Sequence, residues 1–138
     1  MRRSLWVIVL LAAALVFGCS RQPPPHVGEW SADFFLTGDV PLSTGTWHFF
    51  ENGTIQAIYA KPPAAPYVLE GRYTFDYSKN PVQLEINWND NVTVRGIVRF
   101  VGEGKNRMHI VYSSYSPERP TNFEAKESFW WLTKKVKK

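Results

Sequence analysis

Few residues in this chain have types and spacings that could do chemistry. Cys19 is the only cysteine, so no internal disulfide can form. That leaves a buried thiol, a nucleophile, an intermolecular bridge or a modification site. The histidines, His26, His48 and His109, stand far apart. None shows the i, i+2 or i, i+4 spacing of a metal pair, and no second cysteine can complete a ligand set, so no metal is expected. No Gly-x-Ser-x-Gly elbow presents a serine nucleophile. Asp33 with Asp39, and Glu124 with Glu127, fall in polar surroundings and read as solubilising. No catalytic residue and no cofactor is expected, and the chain does not read as an enzyme.

Aromatic residues are the richest resource. Beyond Trp6 there are Trp30, Trp47, Trp88, Trp130 and Trp131, with many Phe and Tyr. Burial of each ring contributes about 25 cal/mol per Å2 removed from water. Trp30, Trp47, Tyr73, Phe75, Trp88 and Tyr112 are candidates either to fill a core or to line a cavity for an apolar ligand. Trp130 and Trp131 are adjacent, so on a strand they face opposite ways. Both are candidates for surface contact, with one expected outside at a rim.

Upstream of Cys19, Arg2 and Arg3 precede an unbroken apolar run, Leu5–Phe17, and Gly18 follows it. A basic start, a short apolar stretch and a small residue at the cut define a secretory signal peptide over 1–18. The run is too short for a bilayer span, which needs about 20 residues. The cut site resembles the lipobox of bacterial lipoproteins: Val16, Gly18 and Cys19 fit, and Phe17 is bulkier than that pattern prefers. The resemblance implies a diacylglyceryl thioether on Cys19, an acylated amine such as a palmitoyl amide, and a membrane anchor in the cell envelope. A plain signal peptide with an incidental cysteine, or an uncleaved anchor, are the alternatives. Ser20 resembles the sorting position of lipoproteins sent to an outer membrane, where the cell has one, with the domain facing the periplasm or exterior.

Downstream of Cys19 the chain divides into a tether and a domain. RQPPPH, within 19–26, carries three prolines that favour an extended spacer. The remainder to 135 is one domain's worth, and 136–138 are a basic tail. The chain has 16 Lys and Arg against 12 Asp and Glu. Without Arg2, Arg3 and the four lysines of the terminal KKVKK, acids outnumber bases. That excludes a broad basic face, so no nucleic-acid partner is expected. The Lys tail reads as a solvated end, or as a contact with anionic lipid or wall polymer.

The body alternates with period two. Strands are expected at Val27–Leu36, Thr46–Glu51, Thr54–Ala60, Val68–Tyr77, Val82–Trp88, Thr93–Val101, Arg107–Tyr115 and within Asn122–Lys135. Asn52-Gly53 signals a two-residue hairpin with φ > 0 at both positions. Tyr73, Phe75 and Tyr77 share one face, as do Leu84, Ile86 and Trp88, and as do Met108, Ile110 and Tyr112. His109 then stands on the opposite face, at the surface or a rim. Arg99 points outward if Val98 and Phe100 point inward. Arg119 is expected to brace the last long loop onto the sheet through backbone carbonyls. Connections this short require antiparallel pairing, and an all-β, eight-stranded meander barrel loses its edges by closing. An open sandwich is the competing architecture.

GEW at 28–30 resembles the Gly-x-Trp that opens lipocalin-like barrels. GRYTFDYSKNPVQLEINW at 71–88, RGIVRF at 95–100 and ERPTNFEA at 118–125 are similar, in order, to segments of a lipocalin-like group of small exported bacterial domains. That group has no assigned activity, so the resemblance implies a barrel and does not by itself give a function. Two functions are expected to compete. The first is a small apolar ligand in the barrel mouth, in a cavity of several hundred cubic ångströms. The second is an envelope protein or wall component docked on a sealed barrel, including inhibition of a hydrolase through a loop at 37–45 or 61–66. A monomer is expected in either case.

Overall fold

The computed structural model describes residues 21–35, 43–60, 65–113, 116–124 and 129–136. Cys19 and the signal segment lie outside them, as do Trp6, Asp39, Glu127 and most of both loops suggested for inhibition. Among the described residues no helix is long and apolar enough to cross a membrane.

The period-two pattern folds as eight strands: β1 Gly28–Phe35, β2 Ser43–Phe49, β3 Thr54–Tyr59, β4 Tyr67–Asp76, β5 Val82–Trp88, β6 Thr93–Val101, β7 Arg107–Ser113 and β8 Phe129–Lys134. Each pairs antiparallel with the next, and β8 returns to β1 to close the barrel. Closure leaves alternate side chains in a common interior. Trp30, Ala32, Trp47, Phe49, Ile55, Leu84, Ile86, Val98, Met108, Ile110 and Leu132 form its buried core. Arg99 points outward, because Val98 and Phe100 take the inside.

Two local expectations change. β2 begins at Ser43, three residues early, because Ser43–Gly45 pairs with Phe34–Ala32 of β1 although it carries no apolar signal of its own. The Asn52-Gly53 turn has positive φ only at Gly53 (83°). Phe50 and Thr54 instead bracket a longer turn, in which the Asn52 side chain accepts from the Thr54 N–H at 3.0 Å. The Asn carboxamide caps the turn from the side, which the two-residue hairpin would not permit.

The barrel has two unlike ends. The β2–β3, β4–β5 and β6–β7 turns lie at the end where the chain enters and where β8 finishes. The β1–β2, β3–β4 and β7–β8 connections leave from the other, together with the short turn at Asn89–Val92. We call the first the closed end and the second the mouth.

Candidate functional site

At the closed end the last residues of the proline run pack against the barrel. The Val27 N–H donates to the Pro24 carbonyl, and the turn drives His26 inside, where it is only 6% exposed. His26 lies flat on Phe75, with Phe49 and Tyr73 edge-on to it. Its carbonyl accepts from Trp30 Nε1 at 2.8 Å, and Lys134 Nζ donates to the Pro25 carbonyl at 3.0 Å. The chain of bonds fixes the proton positions. Tyr73 donates its hydroxyl to the Phe50 carbonyl at 2.6 Å, so its oxygen accepts from His26 Nε2–H at 3.2 Å. His26 Nδ1 then accepts from the Tyr77 hydroxyl at 2.6 Å. The imidazole is neutral. Burial, and then the Lys134 charge, lower its pKa to about 4. These groups are consumed in sealing the end.

The mouth is different. An apolar cavity of about 130 Å3 lies just inside it. Trp47 of β2, Trp88 of β5 and Trp130 of β8 bound it from three sides. Trp47 stands edge-on to Trp88, with ring centres 5.9 Å apart, and tilted against Trp130 at 4.8 Å. Tyr59, Leu69, Val94 and Tyr112 also line it and are half-buried, so the hollow reaches solvent at the strand ends. Ile86 and Ile110 complete the wall. Among the described residues no lining residue is charged. The cavity is smaller than the several hundred cubic ångströms expected, because three indoles occupy the barrel's waist.

The Tyr59 hydroxyl is one of the polar groups carried by the lining residues. Trp47 Nε1 donates to the Tyr59 hydroxyl at 2.7 Å. Burial raises the Tyr59 pKa, so the phenol stays protonated. Its ring can lie where it does because Gly45 stands opposite it across the β2–β3 ladder. A Cβ at Gly45 would come within 2.6 Å of two Tyr59 ring carbons and 2.9 Å of the Ile58 carbonyl oxygen.

The aromatic candidates thus divide between the two ends. Trp47, Trp88 and Tyr112 meet at the cavity; Trp30, Tyr73 and Phe75 surround His26. Trp130 is not a surface contact. It is 9% exposed, because its register opposite Phe34 and Ile110 puts it inside. Trp131 is the outward member of the pair. It stacks on His109, with ring centres 4.3 Å apart, and carries Arg107 on its ring. Tyr59, Leu69 and Val94 are the cavity residues that sequence reasoning missed, and Trp130 is the one it placed on the surface. Tyr59 could have been found from its alternation with Ile55 and Ala57.

His109 faces outward as expected but is buried, at 5% exposure. Phe123 packs against it and against Arg99, and Phe129 and Trp131 flank it. Arg99 Nε donates to His109 Nδ1 at 3.1 Å. Burial, and then that guanidinium, lower the histidine's pKa to about 4. The segment carrying Phe123 is held by Arg119, whose NH1 donates to the Leu84 and Gly96 carbonyls, each at 2.6 Å. Arg119 braces the loop as expected. Ile97 and Val111 share the outward face with His109 and are equally buried, so the barrel wall has a second, smaller apolar layer outside.

On the outer wall near the mouth, β4 extends past its partner. Pairing with β5 ends at Gly71 opposite Trp88, so Tyr67–Leu69 have no β5 residue beside them. Tyr67 and Val68 are 59% and 46% exposed there. Among the described residues no group of three or more His, Cys, Asp or Glu could hold a metal ion. Comparison with family models, with curated proteins and with solved structures found no match to this chain.

Proposed function

We propose that this chain is a lipid-anchored, lipocalin-like binding protein outside the cytoplasm, not an enzyme, and that its barrel mouth holds a small apolar ligand. The observation that carries the binding half is the uncharged, tryptophan-lined cavity just inside the mouth. Concave apolar hollows with a few placed polar groups are where small molecules bind. The anchoring half rests on Val16, Gly18 and Cys19 after the apolar run. The two halves agree in geometry. The chain enters at the closed end, where Pro24–His26 form the seal. A lipid on Cys19 would tether that end and turn the mouth away from the bilayer, toward solutes of the compartment.

The experiment has two readouts on protein purified from its own membranes. The mass of the N-terminal peptide should equal that of Cys19 with a diacylglyceryl thioether and an amide-linked acyl chain; a free thiol there defeats the anchor. Xenon should shift the NMR signals of Ile86 and Ile110 methyl groups, as it does in dry apolar cavities. Unmoved methyls under xenon pressure defeat the binding site.

A second reading, a protein- or wall-interaction module, has one observation in its favour: the exposed Tyr67–Val68 stretch of β4, which pairs with β3 but has no β5 residue beside it. Tyr67→Asp with Val68→Asp would then release an envelope partner while leaving the xenon response intact.

A further inference from the structure

We infer that the mouth cavity selects a neutral, planar, single-ring molecule carrying one hydrogen-bond acceptor, with the Tyr59 hydroxyl as the donor that recognises it. The inference rests on the binding function proposed above and specifies its ligand class. Four observations narrow the class.

Size is the first. A cavity of about 130 Å3 compares with the engineered cavity of about 150 Å3 that holds benzene. One ring fits, and a fused polycycle or a long acyl chain does not. Depth is the second. Trp47 packs against Trp88, Trp130 and Phe49, and Phe49 packs on Tyr73 and His26 below. Among the described residues, rings in contact therefore fill the path from the cavity toward the closed end.

Shape is the third. The three indoles that bound the hollow are not parallel: Trp88 stands at 83° and Trp130 at 48° to Trp47. A planar π-system gains edge-to-face and offset contacts in such a slot. The fourth is polarity. Among the described residues no lining side chain is charged, and an ion held among them would be buried without a counter-charge from them. One lone pair of Tyr59 is taken by Trp47. The phenol's own hydrogen has no acceptor in any hydrogen bond of the described residues, and Gly45 keeps the ring against the cavity wall. A ligand acceptor beside the ring completes a relay from Trp47 N–H through Tyr59 O–H.

The test uses the full chain in lipid nanodiscs, with empty discs as the partition reference. Ligand-observed NMR measures toluene and benzonitrile, rings of similar size that differ in the acceptor. Benzonitrile should bind about three- to tenfold more tightly, the worth of one net hydrogen bond. In Tyr59→Phe the preference should vanish while toluene affinity stays the same. Equal affinities in the unaltered chain overturn this inference and leave the binding function standing; that comparison does not depend on how well the variant folds. Palmitate or tetramethylammonium displacing toluene more tightly than benzonitrile overturns it too, in favour of an acyl chain or a cation. Failure of both rings to enter the cavity removes the binding function itself.

Discussion

His26 and Phe75 lie face to face at the closed end, ring centres 4.1 Å apart and planes within 9°. The stack holds a neutral imidazole whose two nitrogens are both committed, to Tyr77 and to Tyr73. A second proton on His26 would point at a phenol that is already donating, beside the Lys134 ammonium. Protonation and the closed seal are therefore in competition.

Stability should fall as pH drops from about 6.5 toward about 4. Both His26 and His109 have pKa values lowered from 6.5 to about 4, chiefly by burial. Within that window the unfolded chain binds protons that the folded chain refuses, so unfolding is favoured as acid is added. The contribution is fully present above 6.5 and is lost as pH falls through the window. Each pKa unit is worth about 1.4 kcal/mol, so two histidines contribute on the order of a few kcal/mol. Urea midpoints at pH 7.5, 6 and 4.5 measure it. His26→Gln and His109→Gln should each flatten the slope, and a flat profile in the unaltered chain would contradict the buried neutral imidazoles.

Gly45→Ala should close the mouth cavity. The new Cβ meets the Tyr59 ring at 2.6 Å and a backbone oxygen at 2.9 Å. The ring is the movable partner, and the hollow beside it is where it can go. Overpacking of this kind typically costs about 1–3 kcal/mol. The measurable pair is a lower urea midpoint together with loss of xenon or toluene binding. Retained binding at full affinity would show that Tyr59 moves outward instead.

The strand pattern carried much of this architecture. Leu84, Ile86 and Trp88 alternate against Glu85 and Asn87, and they fall inside as that alternation requires. Period two reports which face a side chain takes. It does not report how far along the barrel axis it lies. Trp30 and Trp47 are therefore indistinguishable in sequence, though one seals the closed end and the other walls the cavity. Nor does alternation reveal what a loop will cover. His109 faces outward correctly, and Phe123, folded back from a non-strand segment, helps Phe129 and Trp131 to bury it. His26 was hidden for another reason. Three prolines read as a spacer, whereas here they fix the direction from which one imidazole enters the barrel.

Trp130 and Trp131 should respond differently to truncation. Trp130→Ala removes an inward indole that contacts Trp47 and Phe34, and should cost about 3–5 kcal/mol while enlarging the cavity. Trp131→Ala strips the ring stacked on His109. It should cost less, and it should let the His109 pKa rise toward 6.5 as water reaches the imidazole. Imidazole proton shifts followed by NMR titration read this directly. An unchanged His109 pKa would mean that Phe123 and Phe129 suffice to exclude water.

Arg119 should resist conservative replacement. One guanidinium nitrogen bridges two carbonyls of adjacent strands, Leu84 on β5 and Gly96 on β6, and a second lies 3.8 Å from Glu85. A planar fork satisfies all three at once; a lysine ammonium is a point charge on a flexible stem. Hydrogen bonds made by a charged donor contribute about 1.5–3 kcal/mol each. Arg119→Lys should therefore lose most of what Arg119→Met loses, roughly 1–3 kcal/mol net of re-solvation. The loss should be localised. Hydrogen exchange should quicken at the Val111 and Ile97 amides, whose outward side chains lie buried on the wall, before it quickens at Ile86 in the interior. Uniform acceleration across the barrel would mean that Arg119 holds the β5–β6 seam itself and not only the covering loop.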